Sequence, residues 1–159
     1  MKKIGLLVVL AIGLASCAGK KEEKKEEVET IRTKSEVKDE TASEGVPVDL
    51  SNKGIGPISS YKFSEEVNTE MAAAGEKIYT TKCTICHMAD QRMIGPALSG
   101  VYDRRSPEWV LNMLLNPDGM LKEDPIAIAM LKEYNGAIMT NSNLSDQEAK
   151  EVAEYLRTL

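Results

Sequence analysis

From residue 69 onward the apolar positions recur at three- and four-residue intervals, the spacing of one face of an α-helix, and no stretch alternates as a half-buried strand would. Met71, Gly75, Ile78 and Tyr79 mark a helix over 69–81 that runs directly into Cys83. Ser106 is suited to cap a second helix, with Pro107 in the first position, where a missing N–H costs nothing. That helix buries Trp109, Val110, Met113 and Leu114 and is predicted to stop at Asn116, because a residue before proline avoids helical geometry. A third starts at Asp124 and Pro125 and ends at Asn135 and Gly136, where glycine suits a left-handed cap. The last opens with a capping box, Ser145 and Glu148, and carries Ala149, Val152, Ala153 and Leu156 on one stripe with Tyr155 beside it. These signals predict an all-α domain over 68–159, about four short helices joined by long connections.

Before residue 69 the pattern changes. Lys2 and Lys3 precede an apolar run over 4–14, the arrangement of a secretory leader and too short to span a bilayer. The residues Leu14, Ala15, Ser16 and Cys17 resemble the bacterial lipobox. That motif predicts a lipoprotein signal peptide over 1–16, lipid on Cys17, and a domain anchored to a bacterial membrane outside the cytoplasm, in the periplasm. An ordinary leader with a chance cysteine is the plainer alternative. Residues 17–45 are mostly Lys, Glu, Thr and Ser and cannot bury enough surface to offset chain entropy, so a disordered charged linker is expected. Residues 46–67, with Gly54, Gly56 and Pro57, read as an irregular strap.

Composition narrows the function. Aromatic residues make up only 4% of the chain, little for a core of this size, and a prosthetic group would fill the deficit. A net charge of -5, with no basic cluster in the domain, excludes a nucleic-acid binder. The three cysteines, at 17, 83 and 86, leave none over for a disulfide framework.

Cys83-Thr84-Ile85-Cys86-His87 is the c-type haem attachment pattern. Two thiols three residues apart can add to the two vinyl groups on one porphyrin edge, and the next side chain then reaches the iron. His87 is the sole histidine, so the proximal ligand has one candidate. Zinc would need further ligands, and a thioredoxin-like pair would need an αβ pattern; neither is present. Arg104, Arg105 and Trp109 could bond the haem propionates, because buried carboxylates need donors or cations. A solvated turn and an ordinary core indole fit the same three residues.

Over 69–159 the chain resembles the class I c-type cytochromes. Besides the haem motif, the resemblance rests on Gly75 and Tyr79 ahead of it, Ile94-Gly95-Pro96-Ala97-Leu98-Ser99-Gly100 after it, and Asn143-Leu144-Ser145-Asp146-Gln147-Glu148 followed by Tyr155-Leu156. It implies a cytochrome c-like fold around one covalent haem c, with the first and last helices crossing near Gly75 and the Pro96 carbonyl orienting His87. It also implies a distal methionine in the loop before the last helix. Met139 stands there, although Thr140 follows it where the family usually has proline; Met120 and Met130 are the rivals. The function implied is that of a membrane-tethered, non-enzymatic one-electron carrier in a respiratory chain. It would exchange electrons with a redox protein donor and acceptor, such as a terminal oxidase or nitrogen-oxide reductase. The alternative is a haem enzyme or gas sensor with an exchangeable sixth ligand.

Overall fold

The computed structural model describes residues 45–159; the leader, Cys17 and the charged linker up to residue 44 lie outside the described residues. Each helix begins where a side chain accepts from the first backbone N–H groups, which have no partner inside the helix. Asn68 caps α1 (Thr69–Lys82), Ser106 caps α2 (Pro107–Leu115), Asn116 caps α3 (Pro117–Glu123), Asp124 caps α4 (Pro125–Glu133), and Ser145 caps α5 (Asp146–Leu156). The Ser145–Glu148 capping box forms with both of its hydrogen bonds. A single 3-10 turn, Val101–Asp103, precedes α2.

The domain is helical, as expected, with one helix more than the sequence pattern predicts. Pro117 does end α2, but it also opens α3: the Asn116 amide closes α2 on Asn112, while the Asn116 side chain accepts from Gly119. One residue therefore serves as the last cap of one helix and the first of the next. The third predicted helix ends two residues early, at Glu133, and the turn after it uses positive φ at both Asn135 (55°) and Gly136 (78°).

The largest helix–helix interface is between α1 and α5. Gly75 makes it possible, because a Cβ there would run into the backbone at Glu151 and Val152. Ala149, Val152, Ala153 and Leu156 of α5 are buried and continue into a core with Leu111, Leu114 and Ile126. Among the described residues no helix is long and apolar enough to cross a membrane.

The strap is bound to the helices by side chains that satisfy its irregular backbone. Asn112, 1% exposed, donates to the carbonyls of Lys53 and Ile58 (both 2.9 Å) and accepts from the Ile58 amide (2.9 Å). Ser106 Oγ donates to the Asn52 carbonyl and Asn52 Nδ2 to Asp124 Oδ2, at 2.6 and 2.7 Å. At the other end Arg157 reaches the carbonyls of Ser64, Glu65 and Glu66, while Glu154 accepts the Asn68 amide at 2.6 Å. Phe63 packs edge-on between Tyr61 and Tyr102. Among the described residues the one extended pairing is a parallel bridge between Asp49 and Arg105.

Candidate functional site

Cys83 caps the C-terminus of α1, and the chain then folds back on it: the amides of Cys86 and His87 both donate to the Cys83 carbonyl, at 3.0 and 2.9 Å. The turn brings both free thiols and the imidazole to the wall of one cleft of about 990 Å³. Its size is at the upper end for ligand sites, and its lining is mainly apolar, including Leu98, Val110, Leu114, Leu131, Val152 and Leu156. Three isoleucines at its border, Ile85, Ile94 and Ile138, are 75%, 53% and 65% exposed. Burial pushes the Cys83 thiol up, with Lys82 opposing.

His87 is fixed from several directions. Its Nδ1 lies 3.0 Å from the Pro96 carbonyl; a carbonyl only accepts, so Nδ1 carries the proton and Nε2 keeps its lone pair. Burial lowers the imidazole's affinity for a second proton, and the Pro96 hydrogen bond opposes this only in part. Gly95 leaves the ring its space: a Cβ there would sit 2.5 Å from His87 Cε1. Tyr79 donates its hydroxyl to the His87 carbonyl (3.3 Å), and Gly95 donates its amide to Cys86 (2.8 Å).

The other expected site residues divide. Met139 and Met130 both line the cleft, as does Met113, which the sequence pattern assigned to the buried stripe of α2. Met120 does not: it is fully buried under the strap, where its sulfur accepts from the Ile55 amide at 3.0 Å. Trp109 also lines the cleft, but its indole N–H is given to Asp124 Oδ1 at 3.0 Å, so it has no proton to offer a carboxylate; this corrects the donor role expected of it. The Arg104 guanidinium donates to the carbonyls of Ala97 and Ser99, which places it as a brace for the loop presenting Pro96. The turn-like sequence around it gave no signal for that role.

The cleft fits a haem in chemistry as well as size. Two thiols and one neutral imidazole share a lining that is otherwise mainly apolar, with Arg92, Arg104 and Arg105 among its polar members. Among the described residues no group of three or more His, Cys, Asp and Glu side chains converges to hold a metal ion directly.

Comparison with known proteins agrees with this reading of the cleft. The family model for cytochrome c matches residues 72–159. A cytochrome c2 of Rhodopseudomonas palustris is 31% identical over 112 residues, covering 55% of this chain and 97% of the relative. The solved structure of cytochrome c from Rhodothermus marinus aligns with a TM-score of 0.63 at 40% identity, over 65% of this chain and 88% of that one. An engineered form of the same protein aligns at 0.62, with 39% identity over 65% and 89%. The chain thus belongs to the cytochrome c family, whose members carry covalent haem c, and is a monohaem electron carrier.

Proposed function

We propose that this cytochrome is a membrane-tethered one-electron carrier of a respiratory chain rather than an enzyme. Cys83 and Cys86 would hold the haem through thioether bonds, with His87 Nε2 and the Met139 sulfur as the ligands of its iron. Cys17 carries the lipid that keeps the domain on the periplasmic side of a bacterial membrane. The reading rests above all on the His87–Pro96 pair, in which protonation of Nδ1 leaves Nε2 available beside the two thiols. Met139 is favoured over Met113 and Met130 because it sits in a loop, where the chain has latitude to present a sulfur. The other two ride on packed helices, and the Met130 sulfur lies 4.0 Å from Arg105 Nη2.

When bound, the haem supplies a reversible one-electron change at iron, and a His/Met ligand pair raises its potential relative to other axial sets. The chain's own residues do the rest. Gly95 and Pro96 orient the imidazole, Arg104 holds the loop behind it, and the apolar walls exclude water. Arg105 has a donor to offer a haem carboxylate, since its Nη2 meets only the weak Met130 sulfur, whereas the Trp109 indole has none to spare and Arg104 is turned onto the Ala97 and Ser99 carbonyls. The apolar border at Ile85, Ile94 and Ile138 suits contact with a redox protein, and the acceptor is a terminal oxidase or nitrogen-oxide reductase.

A visible spectrum of full-length protein matured outside the cytoplasm, oxidised and reduced and then exposed to carbon monoxide, tests this. A low-spin c-type spectrum indifferent to the gas is expected. A high-spin spectrum shifted by the gas would overturn the carrier and favour an enzyme or sensor with an open sixth position. For the tether, mass spectrometry of the mature N-terminal peptide should find acyl chains on Cys17; an unmodified Cys17 would exclude the lipid.

A further inference from the structure

The family match begins at residue 72, so the strap lies outside it, yet two strap side chains, Val46 and Val48, line the cleft. Between them the Pro47 carbonyl accepts from Arg105 Nη1 at 2.8 Å, and Asp49 is joined to Arg105 by the parallel backbone bridge. Arg105 is only 6% exposed, and it too lines the cleft. Its Nη1 is fully engaged by the carbonyls of Pro47 and Arg104. Its Nη2 has the Met130 sulfur, a weak acceptor, at 4.0 Å, and the guanidinium lies 5.4 Å from the Trp109 ring centroid. The Asp124 and Asp49 carboxylates favour this cation without accepting a hydrogen bond from it, so Nη2 is open to a further anion, and a haem brings two carboxylates.

We propose that residues 46–49 are a working wall of the haem site: Val46 and Val48 keep water from one edge of the group, while Pro47 and Asp49 fix Arg105 against a haem carboxylate. This rests on the assignment of Arg105 to that carboxylate. Both effects raise the reduction potential, since oxidised iron carries the extra positive charge. Excluding water withdraws solvation from that charge, and pairing the carboxylate withdraws a nearby negative charge that would stabilise it.

The test is the midpoint potential of full-length, haem-loaded variants. Val46→Ser with Val48→Ser, and separately Arg105→Gln, should each lower the reduced-to-oxidised ratio at fixed applied potential by about threefold or more, roughly 30 mV given about 59 mV per tenfold for one electron. Arg105→Lys should recover part of the loss. Ile55→Ser, on the strap but away from the cleft, should leave the potential unchanged. If Arg105→Gln shifts the potential and the valine variant does not, the strap is a brace only and the proposal fails while the carboxylate assignment stands. If neither shifts it, both fail. If the double variant does not fold, Val48→Ser alone decides, because Val48 is already 56% exposed.

Discussion

At Gly95 the constraint is room rather than backbone conformation. A methyl group there would meet three atoms of the His87 ring within 3.0 Å, and the ring cannot retreat without losing the Pro96 carbonyl. Gly95→Ala should therefore weaken or abolish low-spin coordination, read in the visible spectrum of the purified protein. Met139→Leu should convert the reduced protein to one that binds carbon monoxide, whereas Met113→Leu and Met130→Leu should leave the spectrum intact; the reverse pattern would move the distal ligand onto a helix. The attachment residues were legible because covalent chemistry fixes their spacing, and the sole histidine left no choice. Partners of conventional side chains were not. Nothing local joins Trp109 to Asp124, fifteen positions on, and only the fold reveals that the indole proton is already committed. Pro96 came from family resemblance, since a carbonyl has no sequence signature.

Among the elements, α1 and α5 depend on one another through Gly75. Gly75→Ala forces a methyl into the α5 backbone, where no side chain can rotate aside, and should cost about 3 kcal/mol, measured by denaturant unfolding. Helix α5 also has a local device at its start. Ser145→Ala removes the cap and should cost about 1 kcal/mol at neutral pH. The Glu148 carboxyl is held below its ordinary range, first by the Ser145 amide and then by the Ser145 hydroxyl. A depressed carboxyl contributes stability that is complete above its unfolded-state pKa and is lost as pH falls through the folded one. Unfolding curves from pH 6 downward should therefore show a smaller acid-induced loss in Ser145→Ala than in the parent. One capping box and two prolines made three helix starts readable, and apolar spacing alone marked α1. Helix α3 escaped because Asn116-Pro117 is the signature of an ending, and sequence does not show that the same asparagine can turn its side chain to a new helix.

For the molecule as a whole, the strap substitutes for the cohesion that a small domain with few aromatics lacks. Asn112→Ala would leave the Ile58 amide and the Lys53 and Ile58 carbonyls without their partner. It should cost about 3 kcal/mol and open residues 45–67 to limited proteolysis, with cleavage sites read by mass spectrometry. The strap's binding was not readable in advance, because an irregular segment advertises neither period nor cap and is held by side chains far along the chain. The pairing of α1 with α5 also sets the timing of assembly. Synthesis proceeds from the N-terminus, so Cys83 and Cys86 emerge several seconds before Val152 and Leu156 at roughly 5–20 residues per second. Those two residues belong to the cleft wall. Whatever is attached at Cys83 and Cys86 is enclosed only when the last dozen residues have packed back on α1, so a chain truncated before α5 should keep its attachment motif but leave the cleft open to solvent.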